Sequence, residues 1–278
     1  MRQLILALPL VLMACTEPQQ QNKVSTAAAE VTVLNEAFVM PGLNRSRQVR
    51  LYLPPGYGTS DKSYPVLYMH DGQNVFDNAT AYAGEWGVDE TLNDLAASGQ
   101  LELIVVAIDN GAEKRMTELN LADHAEFGKA EGKAYVEFIA NTVKPYIDLH
   151  YRTLVDAEHT GIMGSSMGGL ISHYAILQFP QVFGKAGIFS PSYWAAGQQG
   201  SWFENQPAAQ EALLYFYMGG KEGDSMVPDV ERVYQAVLSK GHAKEQTQYH
   251  LVADAEHNEA AWRNEFKTAV LWLFKARK

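Results

Sequence analysis

Gly164-Ser165-Ser166-Met167-Gly168 constrains this chain more than any other stretch. It has the form Gly-x-Ser-x-Gly and joins two segments of different period. Thr160-Gly161-Ile162-Met163 before it is short and apolar, as a buried strand is. Leu170, Ile171, Tyr174, Ala175 and Leu177 after it recur at helical spacing up to Pro180. A strand that becomes a helix through five residues must turn so tightly that side chains two places either side of the serine collide. Gly164 and Gly168 stand at those places and remove the clash. Such a turn lifts the Ser166 hydroxyl above the sheet edge and aims the Met167 N–H at the oxygen of a bound acyl group. The pentapeptide alone occurs by chance in many chains; the strand before it and the helix after it make it informative.

The rest of the chain alternates in the same way. Val31-Thr32-Val33-Leu34 and Gln48 to Leu53 read as strands, with a turn at Gly42-Leu43-Asn44 between them and a stop at Pro54-Pro55-Gly56. Pro65 to Met69 is a buried strand, and Val88 to Ala97 a helix closed by Gly99. Leu103 to Ile108 is a continuous apolar run, as central parallel strands are. Tyr135 to Tyr151 is an amphipathic helix with a kink expected at Pro145. Beyond the elbow, strands are expected at 186–189, 213–218 and 249–252, and helices at 230–238 and 262–274. This pattern implies an α/β fold: a mostly parallel sheet covered on both faces, with the two opening strands as an antiparallel edge. No internal repeat or second domain boundary is visible. In such sheets, sites form beyond the carboxyl ends of the strands.

The N-terminus has another character. Arg2, the apolar run Leu4 to Leu12 and then Met13-Ala14-Cys15 make a short basic region, a segment too short to span a bilayer, and small residues. Leu12-Met13-Ala14-Cys15 resembles a bacterial lipobox. That resemblance implies a signal peptide over residues 1–14, lipidation of Cys15, and a location in the bacterial cell envelope, lipid-anchored and facing the periplasm or on the outer membrane. A plain secretory signal is the alternative. Cys15 is the chain's only cysteine, which leaves no disulfide to form within it. Residues 15–30 read as a flexible tether, rich in Gln, Ala, Ser and Thr, and 31–278 as one domain. A net charge of −10 with no Lys/Arg run argues against nucleic acid as a partner.

A nucleophilic serine needs a base, and the base needs an orienting acid. His257, in Asp254-Ala255-Glu256-His257-Asn258, follows both the elbow and the last strand, and is the candidate base among the chain's 8 histidines. His250 falls inside a strand, His242 in a polar turn, and His173 on the elbow helix. The acid is expected in Gly219-Gly220-Lys221-Glu222-Gly223-Asp224. Glycines on both sides favour Glu222, with Asp224 left open. A second oxyanion donor is expected in His70-Asp71-Gly72-Gln73-Asn74, from the Gly72 or Gln73 N–H. His70 and Asp71 also raise the thought of a metal site, but no further ligands stand at recognisable spacing.

Taken together, Pro65 to Asn74, Gly164 to Gly169, Ser190 to Trp194, Gly219 to Gly223 and His257 to Trp262 resemble the putative esterase family of α/β-hydrolases, the relatives of esterase D, antigen 85, feruloyl esterases and enterochelin esterases. The resemblance implies an α/β-hydrolase fold and a serine carboxylic-ester hydrolase. It also implies a Ser–acid–His triad, an acyl-enzyme intermediate, a small-molecule ester substrate and no cofactor. The family's acid position lands on Glu222.

Tyr193 and Trp194 follow a strand end near the elbow and are candidate pocket walls, or plain core. Arg115, with Glu118 nearby, lies where a substrate could pass, as a receptor for an anionic group or as half of an ion pair. Trp86 and Trp262 read as packing residues. The relatives' substrates range over siderophore lactones, feruloylated or acetylated sugars and thiol esters, and the sequence does not choose among them. An acyltransferase and a non-catalytic binding lipoprotein on the same fold are the competing classes. Retention of Ser166, His257 and two candidate acids argues against the binder.

Overall fold

The computed structural model describes residues 23–207, 209 and 211–275. The segment expected to be a signal peptide, Cys15 and the first part of the expected tether lie outside them. Among the described residues ten strands run in chain order: β1 Val31–Val33, β2 Phe38–Met40, β3 Arg45–Arg47, β4 Val49–Tyr52, β5 Val66–Met69, β6 Ile104–Ile108, β7 Thr160–Ser165, β8 Lys185–Phe189, β9 Leu213–Gly219 and β10 Thr247–Val252. The α-helices among them are α1 Val88–Ala97, α2 Arg115–Glu118, α3 Gly132–Phe138, α4 Lys144–His150, α5 Met167–Gln178, α6 Gly200–Asn205, α7 Met226–Ser239 and α8 Glu259–Phe274.

Eight strands form one sheet in the order β1-β4-β6-β5-β7-β8-β9-β10. β1 and β4 are antiparallel to their neighbours, and the strands from β6 through β10 pair in parallel. The antiparallel edge read from the sequence is therefore present. Gly42 and Asn44 do not turn between the edge strands, however. They close a separate hairpin, β2–β3, where both take left-handed backbone, φ 80 and φ 50.

Strand side chains alternate between two apolar layers, as the period of two requires. From β6, Ile104, Val106 and Ile108 enter one layer, while Val105 and Ala107 enter the other. From β9, Leu214, Phe216 and Met218 face one way, and Leu213, Tyr215 and Tyr217 the other. Apolar residues of α5 and α7 cover the first layer (Leu170, Ile171, Ala175; Val230, Val233, Val237). Those of α1 and α8 cover the second (Val88, Leu92, Leu95; Phe266, Ala269, Leu273). With both faces roofed, the central strands have no polar side, which is why they read as unbroken apolar runs.

The expected kink at Pro145 takes a definite form. α3 and α4 are joined by one wide turn, Ile139–Val143, with π-type hydrogen bonding. Proline has no N–H and its ring crowds the carbonyl four residues back; widening the turn before it relieves both.

The tether ends sooner than its composition suggests. Lys23 to Glu30 lie against the body, and the ties are specific. Ser25 Oγ donates to Asp77 Oδ2 at 2.9 Å, Thr26 N to Asp77 Oδ1 at 3.1 Å, Thr26 Oγ1 to Glu85 Oε2 at 2.8 Å, and Ala28 N to Asp89 Oδ2 at 2.7 Å. A segment poor in large apolar groups is held by polar bonds, which a hydrophobicity pattern does not register.

Candidate active site

β7 ends at Ser165 and α5 begins at Met167, so Ser166 alone makes the turn between them, at φ 59 and ψ −119. A non-glycine residue there is strained by roughly 1–3 kcal/mol. The surrounding bonds hold it. Ser166 N donates to Phe189 O at 2.9 Å, and Ser192 N donates to Ser166 O at 3.1 Å. The glycines matter as expected, with one addition. A Cβ on Gly164 would sit 3.0 Å from the Gly168 backbone, and one on Gly169 would sit 2.5 Å from Phe189 O. Gly169 therefore lets α5 lie close on β8.

The loops after β9 and β10 bring Glu222 and His257 together. His257 Nδ1 meets Glu222 Oε2 at 2.7 Å, with the Glu222 side chain fully buried and His257 one-third exposed. The other carboxylate oxygen, Oε1, accepts from Ser190 Oγ at 2.6 Å and from Gly219 N at 2.8 Å. Ser190 Oγ in turn accepts from Trp262 Nε1 at 2.9 Å. Both oxygens of the acid are thus engaged, by three partners in all, so its orientation is fixed, and with it the imidazole's. Asp224 is exposed to solvent; the structure pairs the histidine with Glu222. With Nδ1 engaged, His257 keeps Nε2 for the cavity. Ser166 and His257 line the same cavity of about 1030 Å³. The Ser166 hydroxyl meets Ser192 Oγ at 3.1 Å.

The loop after β5 differs in detail from its expected form. Gly72 is buried, and a Cβ there would meet the Ala107 backbone at 2.8 Å. It packs on β6 and does not line the cavity, whereas Gln73 does. Asp71 takes the left-handed backbone, φ 56 and ψ 47. Its carboxylate accepts from Arg115 Nε at 2.7 Å, Arg115 Nη2 at 2.9 Å and Asn110 Nδ2 at 2.6 Å. Burial opposes its ionisation, but the Arg115 guanidinium and these bonds hold the Asp71 carboxyl below the usual range. Arg115 is therefore in the cavity as expected, with its charge answered by Asp71. His70, under the elbow, meets Tyr135 OH through Nδ1 at 2.9 Å, and burial lowers its pKa to about 4. It is neutral at any ordinary pH.

Tyr193 and Trp194 do not join this cavity. The chain after Ser192 curls inward, so Tyr193 is buried with its hydroxyl 2.8 Å from His173 Nδ1. Trp194 is exposed beside it, in a separate surface depression with Arg232. Trp86 and Trp262, read as packing, do pack on each other at 5.9 Å, and they also wall the cavity. Sequence reasoning missed the segment Ala79 to Ala83 as well, together with Asn110, Glu259 and Lys23. Tyr82 stands almost wholly exposed at the rim.

A strained serine at a strand-to-helix turn, a histidine paired with a buried acid and this sheet make an α/β-hydrolase fold. The chain belongs to the putative esterase family, whose description matches residues 41–273. It is similar to the uncharacterized protein YbbA of Bacillus subtilis, 28% identical over 244 residues, or 82% of this chain and 93% of that protein. It is similar to the endo-1,4-beta-xylanase/feruloyl esterase of Xylanibacter ruminicola, 24% identical over 86% of this chain but only 31% of that protein. In structure it is similar to the enterochelin esterase from Shigella flexneri, with a TM-score of 0.70 at 18% identity, covering 91% of this chain and 60% of that one.

Proposed function

We propose that the chain is a serine carboxylic-ester hydrolase in which Ser166, His257 and Glu222 form the triad. The observation that carries the reading is the bond from buried Glu222 to His257, on the same cavity as the strained Ser166. His257 Nε2 takes the Ser166 proton as Oγ attacks the ester carbonyl, and Glu222 stabilises the imidazolium that results. The Met167 N–H, at the start of α5, receives the oxyanion, and one such donor contributes roughly 3–4 kcal/mol. The second donor comes from the loop after β5, where Gln73 faces the cavity. The alcohol leaves with the proton held by His257. Water then attacks the acyl-enzyme by the reverse path.

The substrate class is a small-molecule ester with an aromatic part. The walls Trp86, Trp262 and Tyr82 support this, as do the feruloyl and enterochelin esterases among the similar proteins. Turnover of 4-nitrophenyl acetate and butyrate beside Ser166→Ala tests the chemistry. Serine-independent turnover, or none from folded protein, counts against it. Methyl ferulate, an acetylated xylo-oligosaccharide and a catecholate triester then separate the substrate readings.

The lipobox pattern supports an anchor at Cys15 in the cell envelope. Eight Cα-to-Cα steps lead from Cys15 to Lys23, a span of at most about 28 Å. Because Lys23 lines the cavity, the mouth of the site then lies near the lipid. Cys15→Ser is expected to release soluble protein; continued membrane retention contradicts the anchor.

A further inference from the structure

The reaction cavity holds several charged groups, and most are answered within the protein. Arg115 is paired with Asp71 at 2.7 Å. Glu259, at the start of α8, has its carboxyl pushed up by burial. His257 is held by Glu222. Lys23 differs. Its Nζ donates to Ala81 O at 3.0 Å, and among the described residues no carboxylate stands within ion-pair distance of it. An ammonium has three donors, so this one keeps two beyond its single backbone bond.

Lys23 is also not a loose surface lysine. The residues that follow are pinned to one wall of the cavity. Asp77 accepts from Ser25 Oγ and Thr26 N, Glu85 from Thr26 Oγ1, and Asn78 N donates to Thr26 Oγ1 at 2.8 Å. Asp77, Asn78 and Glu85 flank the segment that carries Ala79 to Ala83 and Trp86 into the cavity. Glu85 is itself tied to Arg263 of α8 at 2.8 Å. The N-terminal strap and the wall are thus one body, and the strap's first described residue puts its cation at the mouth. In a chain of net charge −10, an unanswered cation held at the mouth of the cavity that contains the nucleophile is a selective feature.

We propose that Lys23 is a specificity-determining residue of the ester hydrolase: the strap 23–28 builds the mouth of the cavity and presents the Lys23 ammonium to an anionic group, a carboxylate or catecholate, on the part of the ester remote from the scissile bond. This rests on the hydrolase reading above. It gives the N-terminal strap a part in the site, so that the substrate is read by residues outside the family's matched span of 41–273.

The test uses the full chain and matched esters differing only in one charge. 4-Acetoxybenzoate with its methyl ester places the charge on the alcohol side. Mono-4-nitrophenyl glutarate with 4-nitrophenyl valerate places it on the acyl side. Lys23→Met is expected to lower the anionic-to-neutral ratio of kcat/KM about fivefold in at least one pair, with the change in KM, as removal of one charge-assisted hydrogen bond does. Lys23→Arg should restore the ratio, and added salt should erode it in the wild type. An unchanged ratio in both pairs, or an equal fall for charged and neutral esters, overturns the proposal. Ser166→Ala run alongside keeps the two readings apart: if it still turns these esters over, the hydrolase assignment fails, whatever Lys23 does.

Discussion

Replacing Glu222 by glutamine separates the acid's role from its packing. The Oε1 position receives two donors, Gly219 N at 2.8 Å and Ser190 Oγ at 2.6 Å. The backbone N–H cannot reverse, so the amide oxygen of a glutamine must take that place. Its NH2 then occupies the Oε2 position, 2.7 Å from His257 Nδ1. Two donors cannot face each other, so Nδ1 gives up its proton and the imidazole carries it on Nε2. That is the tautomer that cannot accept the Ser166 proton. In the same situation in serine proteases the loss in kcat is roughly 10⁴-fold, or about 5.4 kcal/mol in the barrier. Glu222→Gln is therefore expected to lower kcat for 4-nitrophenyl butyrate by about that factor, with the far-ultraviolet spectrum unchanged and KM little altered. Asp224→Asn, in the same loop but exposed, should stay within about twofold. Glu222→Ala is the poorer test, because it strands the Gly219 N–H and the Ser190 hydroxyl without an acceptor. Retention of more than a tenth of the activity by Glu222→Gln, or an equal loss in Asp224→Asn, refutes the reasoning.

Three further outcomes follow from other contacts. Ser190→Ala removes the acceptor for Trp262 Nε1 and a donor to Glu222; a buried N–H without a partner costs roughly 1–3 kcal/mol, so Tm should fall by several degrees, and an unchanged Tm would count against the bridge. Tyr82→Ala should leave Tm alone and raise KM for methyl ferulate a few-fold without affecting 4-nitrophenyl acetate, since an exposed ring at the mouth contributes only through stacking of roughly 1 kcal/mol; equal effects on both esters contradict that placement. Burial pushes the Asp89 carboxyl up to about 7, against roughly 3.9 when unfolded. The stability it contributes is complete below the lower value and lost as pH rises through the upper one. The Tm advantage of Asp89→Asn over the wild type should therefore grow between pH 4 and pH 7 and then level off. A gap that does not change with pH contradicts the burial argument.

What the sequence disclosed, and what it hid, divides by range along the chain. The elbow was legible because its causes are local: a strand, two glycines and a helix within twenty residues. Glu222 was legible for the same reason, bracketed by glycines at the end of an apolar strand. The alternation of strands and helices gave the fold, because a sheet roofed on both faces writes its burial into every strand. The cavity walls were not legible. Trp86 and Trp262 sit far apart in sequence and meet only when α8 packs beside the loop after β5. Tyr193 and Trp194 stand beside the correct strand end, yet the turn at Ser192 sends one into the core and the other to the outer surface. Gly72, expected with Gln73 as an oxyanion donor, spends its close approach on the β6 backbone, and the left-handed turn falls on Asp71, where a side chain clamped by Arg115 and Asn110 stabilises a conformation usually left to glycine. The N-terminal strap escaped notice since short polar residues hold it, and those look the same whether tied down or free.

The central claim is that Ser166 becomes acylated in turnover, and labelling with a fluorophosphonate followed by peptide mass analysis tests it most directly. The account expects one adduct per chain, on Ser166, formed in step with the loss of esterase activity and absent from Ser166→Ala and slowed in Glu222→Gln. An adduct on another residue such as Ser165 or Ser192, or full turnover by a chain labelled at Ser166, would contradict it.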